Sequence, residues 1–579
     1  MNPALKQALR QQRLGERAQR AVNATVPQEV PAPYGGLNTR DALNAMPATD
    51  AVKLDNWFPG EGFVSIREDI SDLFDTGVTS SAVESIFEYY QSGFRQFIVA
   101  VGGSLYEGRY TSTGTADGTS ANALIDSTAT FATDGVTTNS IAINTTDNTY
   151  ANVTVVTETN LTLDADIFVS GENYNITTPV GTGYTNDRWD AVNFNGVMPM
   201  VNGDDGPLQW DGTNITAPSW SGTGLTPSDL SGVEAHKFRL YFWTGVDQSF
   251  WYGAPNAISG ILTEFDLSRV TGLGGNIINI KSWTIDSGAG PDDYLAILFS
   301  SGQVVVYQGS DPGDATQWAL VGIYSLPEPV GGNRCAVKIG GDLKIITKSD
   351  IVSMTQTLRV GYEQVPRTKI SGAMRTESAT NASRFGWDIS LHPEGHMLII
   401  NQPDQISTFN QFVQNTTTGA WCRFTGLNMP SWGRYNGDLI CGDSAGKVYK
   451  LSGYGVSGNN IKGDAIQAWN ALGMPFDKLS QQIRYVLATD GTINYGYKIG
   501  FDFEEITEPA TTSVSSVSGS EWDIAAWDES SWSDGGTLYK RWRSSRSEGQ
   551  YITSRLIVLA QQQVTWLKTD HRVTPLKAA

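Results

Sequence analysis

The chain is poor in the residues from which most active sites and covalent frameworks are built. Its 579 residues include three cysteines and four histidines. Cys335, Cys422 and Cys441 are far apart, odd in number and lack a C-x-x-C pair, which argues against a disulfide framework or a cysteine zinc site and for buried thiols. Of the histidines, only His392 and His396 stand at i,i+4, and Pro393 and Gly395 between them break the helix that such a metal pair needs. No run of about 18 apolar residues occurs, and the amino terminus has no apolar core of the secretory kind. The expectation is synthesis in the cytoplasm, with no metal and no cofactor.

Positive charge is scarce as well. Lys and Arg number 40 against 60 Asp and Glu, a formal charge of −20, so the general surface does not suit wrapping of nucleic acid. An acidic wall serves DNA in another way, by letting it pass without holding it. The scarcity is sharpest from 110 to 184, where 75 residues contain neither Lys nor Arg but eight acids: Asp117, Asp126, Asp134, Asp147, Glu158, Asp164, Asp166 and Glu172. Apart from the short Lys540–Arg546 segment, the basic stretch is the first 35 residues. There Lys6, Arg10, Arg13, Arg17 and Arg20 against Glu16 and Glu29 give net +3. Asn2 as N-cap, Pro3 at the first helical position and Leu5 and Leu9 at helical spacing predict a short helix in this arm. It could be a solvated terminus, or it could dock on an acidic partner and order as it binds.

What the chain has in quantity is Gly (61), Trp (17), Tyr (22), Thr and Ser, the composition of strands joined by tight turns. A cadence of strand, turn and strand ending in an aromatic runs through Ile98 to Tyr106, Val197 to Trp210, Tyr294 to Tyr307 and Leu439 to Tyr449. Each turn holds a Gly or Asp-Gly that supplies positive φ. Phe238 to Tyr252, Leu343 to Met354 and Met397 to Phe409 are further candidates. Repetition of small sheets without long helices predicts an all-β chain built as a β-propeller of roughly six to eight blades. The organisation expected is a basic, partly helical arm (1–35), a propeller start (36–109), an inserted acidic Thr-rich β domain (110–184), a propeller continuation (185–452) and a C-terminal β region or closing blades (453–579). Alternation in Ser140–Asn144, Ala151–Thr157 and Asn160–Leu163 marks strands within the insert.

Motifs that resemble chemistry fail on context. Gly442-Asp-Ser-Ala-Gly446 matches a nucleophile elbow with His571 downstream, but Lys447–Leu451 reads as a returning strand where the elbow needs a helix. Gly453-Tyr-Gly-Val-Ser-Gly458 fits G-x-G-x-x-G without a βαβ unit around it. Phe74-Asp-Thr-Gly77 and Ile285-Asp-Ser-Gly288 are the strongest enzyme alternative, a pepsin-like pair in which Asp75 and Asp286 would share a proton. Asp-Thr-Gly is also ordinary turn sequence. No catalytic residue is expected.

Residues 33 to 67 are the most specified part of the chain. Pro33-Tyr-Gly-Gly-Leu-Asn-Thr-Arg-Asp-Ala-Leu43, Asp55-Asn-Trp-Phe-Pro59 and Gly62-Phe-Val-Ser-Ile-Arg67 resemble the start of the tail nozzle proteins of short-tailed bacteriophages, also known as packaged-DNA stabilisation or tail tubular proteins. The closing region, with Trp522, Trp527, Trp532 and Lys540-Arg-Trp-Arg543, is similar to theirs. The resemblance implies a structural virion protein, a homohexameric ring below the adaptor that extends the DNA channel and helps to retain and then release the genome. Six chains at −20 would carry about −120 around a lumen that does not adhere to passing double-stranded DNA. The arm would contact the adaptor or a neighbouring copy, and the insert would project toward tail fibres, spikes or the host surface. Leu54, Trp57 and Phe58 are expected to pin the incoming chain against the propeller. The competing readings are a receptor- or glycan-binding propeller tail protein and the pepsin-like hydrolase.

Overall fold

The computed structural model describes residues 26–286, 291–405, 407–489, 491–514 and 537–576. The chain divides into two compact units, one drawn from Ser71–Gln411 and Gly426–Leu451, the other from the residues up to Ile70, Phe412–Thr425 and those from Ser452 onward.

The first unit is a β-propeller. Its first blade is the antiparallel sheet of Ser85–Gln91, Phe94–Val101, Ser104–Glu107 and Pro179–Thr182. Asp190–Ala191 opens the second blade, Gly232–His236 the third, Ile277–Asp286 the fourth and Ala336–Ile339 the fifth, each followed by its antiparallel partners. The sixth blade combines Ser431–Tyr435, Asp438–Gly442 and Lys447–Leu451 with Ile70–Asp75 from far upstream. That strand closes the ring by joining the two ends of the propeller sequence in one sheet. The hairpin of Asp388–His392 and Met397–Pro403 stands in the circuit between the fifth and sixth blades. The first strands lie innermost, packed against one another from the second blade to the fifth, through the hairpin to the sixth, and from the sixth to the first.

Cores form between blades, because each small sheet buries both faces. Tyr89, Trp189, Met198 and Trp210 fill the space between the first and second blades. Trp243, Phe250, Ile280 and Tyr307 fill that between the third and fourth. Phe74, Val83, Phe97 and Ile440 seal the sixth against the first. Two short helices after the fifth blade, Met354–Val360 and Ser371–Asn381, were not expected from the sequence. The second has buried Ser371, Ser378 and Asn381 beside Met374, so no apolar stripe betrays it.

The insert lies between the third and fourth strands of the first blade. It is a seven-stranded antiparallel sheet running from Ser112 to Thr177, with its own core around Leu124, Phe131, Val153, Leu161 and Tyr174. The strands are Ile141–Asn144, Thr149–Val156 and Asn160–Leu163 where alternation marked them. Pro179–Thr182, which the sequence reading put in the insert, belongs to the blade.

The second unit is a β-sandwich and corrects the expected boundaries. Residues 36 to 70 are not the start of the propeller but fold with the C-terminal region. Asp50–Asp55 pairs with Ile461–Gln467, and Val64–Ile66 pairs with Val564–Pro575. One sheet contains Trp57–Pro59, Val64–Ile66, Val564–Pro575 and Lys478–Thr489; the other contains Asp50–Asp55, Ile461–Gln467, Ile552–Ala560 and Ile493–Phe501. The physical reason is strand demand: long C-terminal strands such as Lys478–Thr489 and Val564–Pro575 bury one face only if upstream strands complete the sheets. Among the described residues no helix is long and apolar enough to cross a membrane.

Candidate functional site

Three places concentrate specified side chains. The first is the joint at 34–67. Gly35 and Gly36 are there because the backbone passes against other chain: a Cβ on Gly35 would stand 2.2 Å from the Asp50 carboxylate, and one on Gly36 2.5 Å from the Trp421 backbone. Asn38 donates to Asp50 and Asp41, 2.8 Å each. Asp55 takes both arms of the Arg423 guanidinium at 2.9 and 3.0 Å. Asn56, at φ 57° in the left-handed region that asparagine tolerates, is a four-way junction. Its amide donates to Lys462 O (2.9 Å) and Thr425 Oγ1 (3.0 Å), and its Oδ1 accepts from Thr425 N (2.9 Å) and Arg67 Nε (3.0 Å).

Leu54 and Trp57 are fully buried and Phe58 is half-buried. The Trp57 ring lies 5.8 Å from that of Trp566, which lies 5.7 Å from that of Tyr485, and Phe58 lies 6.4 Å from Phe424. The expectation that these residues pin the chain against the propeller is therefore corrected: their partners are sandwich residues, because the strand they enter is completed by C-terminal strands. The Arg-Trp-Arg segment is built in as well. Trp542 lies beneath Arg484 and Arg572, whose guanidinium carbons are 4.6 and 4.1 Å from its ring centroid. Lys6, Arg10, Arg13, Arg17 and Arg20 lie outside the described residues, as do Trp522, Trp527 and Trp532.

The second place is the propeller axis. Lys281, on the innermost strand of the fourth blade, pairs with Glu234 of the third at 2.9 Å. Burial alone would depress the Lys281 ammonium, but Glu234 and Asp190 beside it hold its pKa above the usual lysine range. Burial pushes the Asp190 carboxyl up, only partly offset by Lys281, the Val233 amide and Arg334. Arg334, from the turn before the fifth blade, reaches Ser85 Oγ on the first blade at 2.7 Å. It also lies over Phe385, whose other cation is Arg188 at 3.8 Å. Asp388, on the hairpin, is pushed up by burial with Arg334 as its counter-charge. These side chains link the first, third, fourth and fifth blades to one another and to the hairpin. Sequence reasoning missed them; the available signal was a single charge within an innermost strand, as in Asn279-Ile-Lys281-Ser-Trp283.

Buried histidines set an acid limit in each unit. In the propeller, His236 Nδ1 meets Ser282 Oγ at 2.7 Å and Nε2 meets Gly309 O at 3.1 Å, so Nε2 carries the proton and donates to the carbonyl. His571 is buried in the sandwich. Burial holds each down to about 4. The unfolded chain takes up these protons near pH 6.5 and the folded one only near 4, so stability is intact above pH 6.5 and is lost as pH falls through that window. Urea midpoints at pH 7.5 and 4.5 are expected to show a loss of about 2–3 kcal/mol per histidine. His236→Gln should flatten the pH dependence of the propeller transition.

The third place is Asp75. Its Oδ2 accepts Tyr150 Oη at 3.0 Å and faces Lys447 Nζ at 3.3 Å, and its Oδ1 accepts the Gly77 amide at 2.8 Å. It sits on the closing strand of the sixth blade, while Asp286 ends the innermost strand of the fourth, paired with Pro291; its side chain lies outside the described residues. The pepsin-like pair is not brought together, because its members belong to different blades and Asp75 is committed to Lys447 and Tyr150. Ser444 stands in the hairpin turn between Asp438–Gly442 and Lys447–Leu451, where Asp443 accepts the Ala445 and Lys447 amides; His571 belongs to the other unit. All three cysteines are buried thiols outside any disulfide, and burial pushes the Cys335 thiol up to about 12. Among the described residues no group of three or more His, Cys, Asp or Glu converges as metal ligands would.

No protein-family model matches the chain, and no curated protein matches it. Among solved structures it is similar to BBS1N in its complex with ARL6DN, with TM-score 0.34 and 10% identity, covering 67% of this chain and 98% of that one. A chain of the mitotic checkpoint complex gives TM-score 0.33 and 8% identity over 72% of this chain and 97% of its own. PorZ, a surface component of the type-IX secretion system of Porphyromonas gingivalis, gives TM-score 0.31 and 10% identity over 88% and 61%. At these scores the likenesses say nothing of function, and the propeller stands on its own blades.

Proposed function

We propose that the chain is a non-catalytic structural subunit of a short bacteriophage tail, a nozzle protein arranged as a closed hexameric ring around a DNA conduit. The observation that carries this reading is the 34–67 joint, on whose residues the resemblance rests. Its Gly-Gly, Asp-Asn-Trp and Arg67 elements are spent on holding the sandwich together, which is the work of a scaffold. Two further features support it. Charged contacts between blades, Lys281 with Glu234 and Arg334 with Ser85, hold the propeller together, as suits a wall between which a duplex passes rather than a channel through one propeller. The basic arm directly precedes Val26–Pro31, a strand paired with Val564–Pro575, so its attachment point is a strand of the sandwich.

A head-to-tail interface that closes on itself gives a ring without filaments. The acidic charge keeps that lumen from retaining DNA. Removal of residues 1–25 spares the first strand and is expected to weaken ring formation at least tenfold by native mass spectrometry. Unchanged assembly without the arm would remove the arm from the account.

A further inference from the structure

The junction of the insert with the sixth blade forms a half-open cavity of about 270 Å³. The blade supplies Asp72, Asp75 and Lys447, the connection into the insert supplies Tyr110, and the insert itself supplies Asn148 and Asn175. Its apolar side is half-buried Leu73, backed by the buried Phe74, Ile143 and Val448. We propose that this cavity binds one neutral sugar ring.

Asp75, Lys447 and Tyr110 are held in place before any ligand arrives. Tyr150 and Lys447 fix the Asp75 carboxylate, and Tyr110 Oη accepts the Asp75 amide at 3.1 Å. Burial raises the pKa of the Tyr110 and Tyr150 phenols, so both remain neutral hydroxyls. Lys447 is held protonated: burial would lower it, but Asp75 and Tyr150 more than offset this. The wall thus alternates ammonium, carboxylate, amide and phenol. Each vicinal hydroxyl of a sugar both donates and accepts and needs such mixed partners, while its C–H face suits the apolar side. The volume is just below the roughly 300 Å³ at which drug-sized pockets begin, which suits a single ring.

Charge decides between ligand classes. Two carboxylates against one ammonium oppose an anion, and Lys447 within the wall opposes an ammonium ligand. The 110–184 insert adds no cation to the site and lines it with Asn and Thr. This inference goes beyond the ring proposal and does not depend on it, since the cavity is contained within one chain.

The test is saturation-transfer NMR on the full chain with glucose, galactose, rhamnose and N-acetylglucosamine, and with sialic acid and putrescine as charged probes. At least one neutral sugar is expected to bind with a dissociation constant on the order of 1–10 mM, with no transfer to sialic acid. Asn148 has φ 56°, a conformation glycine adopts without strain, so Asn148→Gly removes the amide and keeps the turn. It should weaken the signal about tenfold at an unchanged melting temperature, and Asn175→Ala should do the same. Silence from all four neutral sugars overturns the proposal. Transfer that survives both substitutions, or binding of putrescine or sialic acid alone, overturns it equally.

Discussion

Trp57→Ala is expected to cost the sandwich unit roughly 3–5 kcal/mol, the range for removing a large aromatic from a core. Trp57 is fully buried, meets Trp566 edge to face, and fits against Gly463, whose added Cβ would stand 2.7 Å from the indole nitrogen. Little can move to refill the space, because Trp57 lies between two sheets whose backbones are fixed by pairing. The propeller has separate cores between its blades and should keep its own transition. Phe58→Ala should cost about 1–2 kcal/mol, since Phe58 is half-buried. Calorimetry or urea unfolding with separate probes for the two units checks both values. A shift below about 1 kcal/mol for Trp57→Ala would mean that the joint does not anchor the sandwich.

The second large effect is expected at the axis. Lys281→Met keeps the aliphatic length but leaves Glu234 and Asp190 facing each other without their cation. Breaking a buried pair costs about 3–5 kcal/mol. The Lys281 and Glu234 side chains are 21% and 15% exposed, so a loss of roughly 2–3 kcal/mol is expected. The loss should depend on pH with a definite sign. The folded Asp190 carboxyl titrates above its unfolded value, so its contribution is whole below the unfolded value and declines as pH rises through the folded one. Without Lys281 that folded value moves further up. The deficit of Lys281→Met should therefore be larger at pH 7.5 than at pH 4.5, measured by urea midpoints of wild type and variant. An equal deficit at both values would mean that Lys281 acts through packing alone.

The propeller was legible because each hairpin is local. Alternation with a Gly or Asp-Gly turn specifies Leu439–Tyr449 or Tyr294–Tyr307 within a dozen or so residues, and the register follows. The insert was legible for a compositional reason, an abrupt loss of Lys and Arg together with clear alternation. The partnership of Asp50–Asp55 with Ile461–Gln467 was not legible, because the pairing spans some four hundred residues and neither strand marks its mate. That gap displaced the boundary at 36–70 and sent Trp57 to the wrong core. It also hid Asn56, whose four hydrogen bonds depend on Thr425 and Lys462. The charges between blades were invisible for a related reason: each is one ordinary charge on its own strand or, for Arg334, its own turn, and only ring closure brings Lys281, Glu234, Arg334 and Asp388 together. The Asp-Thr-Gly at Asp75 shows the opposite case, a turn sequence that matches a catalytic motif and anchors a closing strand through Lys447 and Tyr150.

The central claim, a scaffold subunit of a closed ring around a conduit, is tested most directly by single-particle electron microscopy of the full chain assembled with the tail component above it. A six-fold ring with a central pore lined by acidic faces of neighbouring copies is expected. A protein that stays monomeric at every concentration, or a ring whose pore is lined by basic residues and retains duplex DNA, would contradict it.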